Sequence, residues 1–362
     1  MTPPRLSLRQ RVALEADRIL WRKKVKEHRL HTLFWESTWR CNAACLHCGS
    51  DCTCAPAIPD MPKEEFLRVI DSLTPHVDPS RLLVIISGGE PLVRPDLGEI
   101  GLELYRRGYP WGIVTNAISL TPSRLDSLRR SGMRTVSVSL DGLEADHNWL
   151  RGNHLCYARA TDAIARISRC PDLASDVITC VNSRNLSTLP RLRALLAELG
   201  VRRWRLFTIF PSGRAKDHPE LFLDPTQYRS LMRFIADTRR LDDGGALPSY
   251  CCEGFLGPWE GEVRDGFFHC SAGIGVASIR IDGSIGACAS IRSDYSQGNI
   301  RTDDFWEVWT TRFQPFRDRS WMHTGSCATC SMWRYCQGNG LHLRDSSGAL
   351  LRCNLADLTA PE

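Results

Sequence analysis

Three cysteines near the start of the chain have the spacing of a metal-binding loop. Cys41, Cys45 and Cys48 form a C-x3-C-x2-C motif. Three thiolates at this spacing can bind one face of a cubane iron–sulfur cluster and leave its fourth iron open to another ligand. Structural zinc is the alternative, but zinc sites usually show paired C-x2-C knuckles, and here the first spacing is wrong. The motif therefore favours an iron–sulfur cluster.

A second group of cysteines lies in the last third of the chain, after a long stretch that is poor in cysteine. Its best-spaced members, Cys327, Cys330 and Cys336, form C-x2-C-x5-C, and Cys353 follows. The chain has 16 cysteines, no evident signal peptide and no apolar run long enough to span a membrane. This combination indicates metal or redox chemistry in a reducing compartment, so we expect a cytoplasmic protein without disulfides.

The charge distribution excludes few classes of protein, and it does not indicate a nucleic-acid partner. The net charge is +5, from 46 basic and 41 acidic residues that are well mixed along the chain. The run Arg22–Lys24, with Lys26, favours a solvated helix face over a binding patch.

Repeated strand–helix units must position the first cysteine motif. Apolar or β-branched runs predict strands at 33–38, 82–86, 111–115, 134–140, 176–181 and 204–210. Helical periodicity follows each of them, near 62–73, 96–107, 121–131, 157–168, 187–199 and 225–239. Such a series implies a parallel sheet, either doubly wound or curled as a barrel. The motif follows the first strand, so the site belongs at the carboxyl ends of the strands.

The flanks of this region differ from its centre. Residues 7–28 are predicted to form a helix, with a capping box at Ser7 and Gln10 and a loose apolar face that includes Val12 and Leu14. Ile19 and Leu20 would complete that face. The stretch "LDDGGALPS" near residue 245 predicts a linker. We therefore expect an N-terminal helix at 1–30, a barrel at 31–240 and a small metal-stabilised domain at 241–362.

In order and position, several motifs resemble those of radical S-adenosylmethionine (radical SAM) enzymes. They are the cysteine motif, "SGGEP" at 87–91, "SVSLDG" at 137–142 and "WLRG" at 149–152. The resemblance implies a partial (β/α)6 TIM-like barrel and a [4Fe-4S] cluster whose open iron binds SAM. It also implies reductive cleavage of SAM to a 5′-deoxyadenosyl radical, which abstracts hydrogen from a substrate.

The resemblance also implies residues that bind SAM. Glu90 would meet the methionine amino group, His47 would pack on adenine, and Arg151 would reach the carboxylate. Ser139 and Asp141 are candidates for the ribose, although Asp141 fits an ordinary turn equally well. The full set of expected SAM-binding residues is His47, Gly88, Gly89, Glu90, Asn116, Ser139, Asp141 and Arg151. No residue is predicted to act as a catalytic acid or base.

The C-terminal cysteines resemble a SPASM domain, which carries auxiliary iron–sulfur clusters. The resemblance implies that Cys327, Cys330, Cys336 and Cys353 ligate a complete second auxiliary cluster. Cys270 and Cys288 would ligate a first one, with Cys252 or Cys251 as a third ligand. Gly340 stands where the family has a further cysteine. The first auxiliary site is therefore expected to be incomplete, two-iron, open to substrate or completed by His342, so that one or two auxiliary clusters are present.

The other cysteines carry weaker expectations. Cys52 and Cys54 are extra ligands, a hydrogen donor or, more simply, small loop residues. Cys156, Cys170 and Cys180 fall in helix or strand patterns and are assigned to the core, with a reservation for Cys180 because it lies near the carboxyl end of a strand.

The functional expectation is maturation of a peptide or protein by crosslinking, thioether formation, epimerisation or oxidation. The chain resembles radical SAM/SPASM maturases of the lipoprotein-system type, and it would need an external electron donor of the flavodoxin or ferredoxin type. One alternative is a radical SAM dehydrogenase or oxidase of a small molecule. Another is a non-enzymatic iron–sulfur or zinc scaffold.

Overall fold

The structure is a computed structural model that describes residues 6–241, 243–251 and 253–360. Its strands are β1 Thr32–Thr38, β2 Leu83–Gly88, β3 Trp111–Thr115, β4 Met133–Ser139, β5 Ala174–Val181, β6 Arg203–Thr208, β7 Leu247–Tyr250, β8 Val276–Ile279, β9 Ser284–Gly286 and β10 Gly298–Asn299. Its helices are α1 Leu8–Glu27, α2 Lys63–Leu73, α3 Leu97–Arg106, α4 Pro122–Arg130, α5 Glu144–Arg151, α6 Cys156–Ile167, α7 Leu189–Glu198, α8 Pro225–Arg239, α9 Phe305–Thr311, α10 Gln314–Arg317, α11 Trp333–Cys336 and α12 Asn354–Thr359.

All ten strands form one sheet in the order β10-β9-β8-β1-β2-β3-β4-β5-β6-β7. The eight strands from β8 to β7 are parallel, and only the β8–β9 and β9–β10 pairs are antiparallel. Helices α2, α3, α4, α6, α7 and α8 connect successive strands, as a parallel sheet requires. This largely parallel α/β architecture confirms the expected fold class.

The six expected strand–helix units are present, and the sheet continues beyond them. β7 extends the sheet from β6, with Leu206 opposite Tyr250. β8 pairs with β1 at the other edge, where Phe34 lies opposite Ser278. Both strands lie after residue 240, so the barrel sheet takes strands from both sides of the expected boundary. The division at residue 240 stays a prediction.

Helix α1 forms where it was expected, but its buried face differs from the predicted one. Ser7 and Gln10 make the capping box, with Gln10 N donating to Ser7 Oγ at 3.2 Å. Leu14 is buried, as predicted, and Trp21 joins it. The prediction is wrong for the other three residues of the face, because Val12, Ile19 and Leu20 are exposed.

No helix in the described ranges is both long and apolar enough to cross a lipid bilayer.

Candidate functional site

The loop that carries the first cysteine motif follows β1 and is held on one side by helix α5. Ala44 N donates to Arg151 O at 3.0 Å, and Leu46 N donates to Leu150 O at 2.9 Å. Cys45 is buried, whereas Cys41 and Cys48 are partly exposed. The three thiols pack in one small cluster, whose other members are Ala43, Ile118 and Cys156. The structure therefore brings the three predicted thiols together on one loop.

A second segment, which follows β6, holds the same loop from another direction. Arg214 Nε donates to Cys45 O at 2.9 Å, and Arg214 N donates to Cys48 O at 3.1 Å. Gly213 has φ +54°, and a Cβ there would lie 2.3 Å from Cys48 O. Only glycine permits this approach without strain, because it has no Cβ and tolerates positive φ. The segment "PSGRA", residues 211–215, thus holds the cysteine loop in place, and we call it the clamp. Sequence reasoning did not assign this role.

The surroundings of the thiols fit a metal cluster with three protein ligands. Burial raises the pKa of Cys41 to about 11 and also raises the pKa of Cys45. Arg151 opposes this at Cys45, because its Nη1 lies 3.7 Å from the Sγ. Asn116 Nδ2 lies 3.9 Å from the Sγ of Cys41. Donors beside otherwise uncharged, buried thiols favour the thiolate form that ligates iron.

Cys48 differs from its two partners. A hydrogen bond with Cys52 lowers the pKa of Cys48 to about 5, and the same bond raises the pKa of Cys52. Cys52 is buried, whereas Cys54 is exposed. Cys52 therefore interacts with Cys48 of the cysteine motif, and its role as a ligand, hydrogen donor or loop residue stays a prediction, as does that of the exposed Cys54.

The two glycines of "SGGEP" allow the end of β2 to pack closely on the end of β1. Gly88 has φ +136°, and a Cβ there would lie 2.2 Å from Thr38 O. A Cβ on Gly89 would lie 2.3 Å from Arg40 O. The backbone follows this approach, since Gly89 N donates to Thr38 O at 2.7 Å. Both glycines thus allow the end of β2 to pack closely against the backbone of Thr38 and Arg40, beside the cysteine loop.

Glu90 is buried and its carboxylate is already well supplied with protein donors. It accepts from Thr115 Oγ1 at 2.7 Å, from Asn116 N at 2.7 Å and from Leu92 N at 3.1 Å. Burial raises the pKa of Glu90, while these donors act in the opposite direction. The Asn116 side chain in turn donates to Asn42 Oδ1 at 2.8 Å, inside the cysteine loop. The predicted contact of Glu90 with SAM stays a prediction, and its structural role is to join β2, β3 and the loop.

A buried ion pair lies on the opposite side of the thiols. Arg151 Nε donates to the Asp141 carboxylate at 2.6 Å, and Cys180 N donates to the same carboxylate at 2.9 Å. Burial alone would raise the pKa of Asp141, but Arg151 and other neighbours lower it to about 2. Asp141 N donates to His147 Nδ1 at 2.9 Å. Asp141 is therefore the centre of a buried network, while Ser139 lies nearby as the buried last residue of β4.

His47 reaches this network from the cysteine loop. A nitrogen of its ring, an Asp141 carboxylate oxygen and the Cys180 Sγ all lie within 4.8 Å of one another. His47 Nδ1 is shielded from solvent and has no hydrogen-bond partner among the described residues. Burial lowers the pKa of His47 to about 4, so the ring is neutral at pH 7. The assignment of Cys180 to the core is incomplete, because its thiol faces this site from the end of β5.

An ion pair between Asp176 and Arg205 lies on the same face of the sheet as the Cys180 thiol. Trp204 packs edge-on against Phe234 of α8, which places its neighbour Arg205 on the opposite, concave face. There Arg205 forms an ion pair with Asp176 and donates to Ser137 Oγ at 2.8 Å. The face of the sheet that carries the Cys180 thiol therefore also carries polar and charged side chains that sequence reasoning missed.

The C-terminal thiols surround a separate cavity. Cys327, Cys330, Cys336 and Cys353 all line one pocket. Arg344 Nη2 lies 3.4 Å from Cys327 Sγ. Four thiols around one space fit a cluster in which every iron has a protein ligand.

Two of the thiols expected at the first auxiliary site lie near each other. Burial would raise the pKa of Cys270, but Arg319 and the backbone NH groups of Leu341 and Ala272 lower it. Cys288 is close enough for Cys270 to raise its pKa, although burial is the larger cause. Cys252, which together with Cys251 was a candidate third ligand, lies outside the described residues. Among the described residues, Cys270 and Cys288 are thus the expected ligands that the structure brings near each other.

Gly340 replaces the missing cysteine for a visible steric reason. A Cβ there would lie 2.6 Å from Glu253 O and 2.6 Å from Cε1 of His342. The His342 ring also packs against Phe210, with centroids 4.8 Å apart. The backbone at this position is therefore too crowded for any larger residue without rearrangement.

Two family models match the chain in the regions that these sites occupy. The radical SAM superfamily model matches residues 35–196, and the SPASM model, an iron–sulfur cluster-binding domain, matches residues 270–331. The chain therefore carries a radical SAM domain followed by a SPASM domain.

Curated relatives with different activities match most of the chain. It is 26% identical over 321 residues to the AdoMet-dependent heme synthase of Methanosarcina barkeri, covering 84% of this chain and 89% of that protein. It is 29% identical over 314 residues to the mycofactocin maturase MftC of Mycolicibacterium smegmatis, covering 84% of this chain and 76% of the relative.

The fold is also similar to that of a solved structure, Streptococcus suis SuiB bound to precursor peptide SuiA. The TM-score is 0.65 at 16% identity, over 89% of this chain and 73% of the other. This similarity shows the fold, and the two family models define the class of the protein, a radical SAM enzyme. Within that class it is one of the enzymes that bear a C-terminal SPASM iron–sulfur domain.

Proposed function

We propose that this enzyme modifies a peptide or protein substrate. Support comes from the relatives, because MftC is a maturase and SuiB, which has the same fold, has been crystallised with a precursor peptide. The Asp176–Arg205 pair and Ser137, on the face of the sheet that carries the Cys180 thiol, would offer donors and acceptors to peptide groups. The observation that carries the proposal is the MftC relation, which extends over both domains.

The residues of the site are proposed to have different roles. A [4Fe-4S] cluster with SAM supplies hydrogen-atom abstraction when bound, and Cys41, Cys45 and Cys48 are the residues that would hold it. Arg151 would place positive charge beside the cluster, while Asp141 balances that charge in a buried setting. The barrel wall and the SPASM domain would exclude water from the reacting groups.

The C-terminal thiols would hold the auxiliary clusters. Cys327, Cys330, Cys336 and Cys353 are proposed as the ligands of a complete cluster, and Cys270 with Cys288 as ligands of a second, less complete one. An external electron donor of the flavodoxin or ferredoxin type is proposed to supply reducing electrons. A chain so rich in free thiols suits the cytoplasm, which we propose as its location.

A small-molecule substrate is the second candidate, and a specific observation favours it. The heme synthase relatives match this chain over 84% to 87% of its length. In this case Arg205 of the Asp176–Arg205 pair would bind an anionic substituent instead of a peptide group.

The test is a pair of anaerobic assays with SAM and dithionite. One contains a synthetic peptide with the sequence of a short open reading frame beside the gene, and the other contains coproporphyrin. We expect a change in the peptide's mass that requires SAM, together with formation of 5′-deoxyadenosine. Modification of the porphyrin with an unchanged peptide would replace the proposal by the second candidate.

A further inference from the structure

Helix α1 has one buried face and one exposed face, and both contain large apolar side chains. Leu14 and Trp21 are buried against the rest of the protein. On the outer side, Leu8 is 78% exposed, and Val12, Ile19 and Leu20 are 62% to 63% exposed. These four account for nearly half of the exposed large apolar side chains in the described ranges. Clustering of this kind marks an interaction surface, whereas single exposed apolar residues need no explanation.

Basic residues border this apolar strip. The helix contains seven basic and three acidic residues. Arg9, Arg22, Lys23, Lys24 and Lys26 are all exposed. Of the acidic residues, Glu15 and Asp17 are turned towards the protein, where they pair with Arg334 and His269. The outer face therefore combines apolar contacts with net positive charge, which suits an acidic partner.

The inner face of α1 rests on segments that flank the expected ligands of the auxiliary clusters. Trp21 stacks on His269 with ring centroids 4.2 Å apart, and Asp17 lies 2.5 Å from the same ring. His269 directly precedes Cys270. Tyr335, which directly precedes Cys336, donates to Glu15 Oε1 at 2.7 Å. One helix thickness, about 10 Å, thus separates the outer surface from both segments.

We propose that the outer face of α1 is the docking site for an acidic electron-carrier protein that passes single electrons to the enzyme. In each encounter the reduced carrier loses one electron, and an iron–sulfur cluster of the enzyme gains it. The inference rests on the proposed electron donor and is independent of whether the substrate is a peptide.

The size and charge of the surface favour such a carrier over other occupants. A 20-residue helix is about 30 Å long and 10 Å wide, so its outer face offers roughly 300 Å². That area is far below the roughly 800 Å² per partner of a stable complex and fits the small, transient interfaces of electron transfer. A second copy would bring like charges together. A membrane-binding helix inserts its largest apolar side chains into the lipid, whereas Leu14 and Trp21 of α1 are buried against the protein.

The test measures the rate at which photoreduced bacterial flavodoxin reduces the reconstituted enzyme, followed by bleaching of the iron–sulfur absorbance. One variant replaces the apolar strip (Leu8→Gln/Val12→Gln/Ile19→Gln/Leu20→Gln), and another reverses bordering charges (Arg22→Glu/Lys26→Glu). We expect each to lower the second-order rate constant about tenfold or more. The wild-type rate should fall as salt screens the attraction.

Two controls separate docking from damage. Dithionite needs no docking surface, so it should reduce the wild type and both variants at equal rates. The Tyr105→Gln/Leu155→Gln variant removes exposed apolar side chains of the barrel and should keep the wild-type rate with flavodoxin. Equal flavodoxin rates in the wild type and the α1 variants would overturn the proposal. So would a wild type that flavodoxin cannot reduce, or α1-dependent binding to phosphatidylglycerol vesicles with unchanged flavodoxin rates. Peptide modification driven by dithionite tests the proposed function separately.

Discussion

The thiols of the N-terminal loop and those around the C-terminal cavity lie in different kinds of surroundings. Near Cys45 the protein buries the charges of Arg151 and Asp141, which contact each other. Around the four C-terminal thiols the lining includes the apolar residues Trp333, Leu350 and Leu355. The buried Arg344, whose Nη2 lies 3.4 Å from Cys327 Sγ, donates there to the backbone carbonyls of Gly338 and Gly348. A site that must accept a charged cosubstrate needs preorganised charges, whereas a site closed by four thiols needs mainly packing. The two sites therefore differ in the partner of their buried arginine, which is a carboxylate beside the N-terminal thiols and the backbone beside the C-terminal ones.

The largest effect is expected from breaking the buried pair of the N-terminal site. Asp141→Asn leaves the Arg151 charge uncompensated, so we expect a loss of about 3–5 kcal/mol in the free energy of unfolding. Asp146→Asn is the matched control, because it breaks an ion pair with Arg184, which is 45% exposed. The control should lose less than about 1 kcal/mol. Denaturant titrations measure both, and equal losses would show that the buried charges are not special.

A pH effect of nearly the same size is expected from His147, the neighbour of that pair. Burial lowers the pKa of His147 to about 4 from its ordinary 6.5. Between these values the folded protein binds fewer protons than the unfolded chain, so stability falls as pH drops from 6.5 to 4. The loss should reach about 3 kcal/mol.

The His147→Gln variant should lack this share of the pH dependence in denaturant titrations across the same range. The exposed His154 offers a control, since His154→Gln should retain the wild-type dependence. If the His147→Gln variant keeps the full wild-type pH dependence, the pKa of His147 in the folded protein is not lowered to about 4.

A glycine of the N-terminal clamp can be compared with one beside the C-terminal thiols. Gly213 and Gly325 both have φ +54°, but only the Cβ at 213 would meet another group, Cys48 O at 2.3 Å. Gly325→Ala should cost about 1–2 kcal/mol from backbone strain alone. Gly213→Ala should cost about 1–3 kcal/mol more and weaken SAM binding, as measured by denaturation and equilibrium dialysis. Identical behaviour of the two variants would mean that the clamp does not restrain the cysteine loop.

The smallest effect is expected from substitution of Gly340, the position at which the resemblance implies a further cysteine. Gly340→Cys restores the family cysteine, but its Cβ would meet Glu253 O and the ring of His342. We expect a loss of about 1–3 kcal/mol and no gain in iron per chain, as Gly340→Ala should also show. More iron in the cysteine variant alone would mean that the first auxiliary site can be completed there.

Sequence patterns predicted the parts of this molecule that depend on local periodicity. α8 lies at Pro225–Arg239, as expected, because a 15-residue helix carries a clear apolar face. The pairing of β8 with β1 was not predicted, since it joins strands more than 230 residues apart. The buried face of α1 was predicted incorrectly, because contacts with His269 and Tyr335 decide which side faces inward. α10 and α11 have four residues each, too few for a periodic signal.

The candidate site shows the same contrast between features set by local sequence and features set by long-range contacts. The spacing of its cysteines identified the loop, because ligand spacing is a local property. The position of Cys180 near a strand end was a signal in the sequence, but its neighbours His47 and Asp141 were not predicted, and neither was the role of Gly213, because both depend on how distant strand ends meet.

The most direct test of the central claim is to count iron and record the spectra of the Cys41→Ala/Cys45→Ala/Cys48→Ala variant after anaerobic reconstitution. If the N-terminal loop holds the open, SAM-binding cluster, this variant should contain about four fewer irons per chain than the wild type. It should also lose the change in electron paramagnetic resonance that SAM causes in the reduced wild type. An unchanged iron content, or a SAM response that persists without these thiols, would contradict the account.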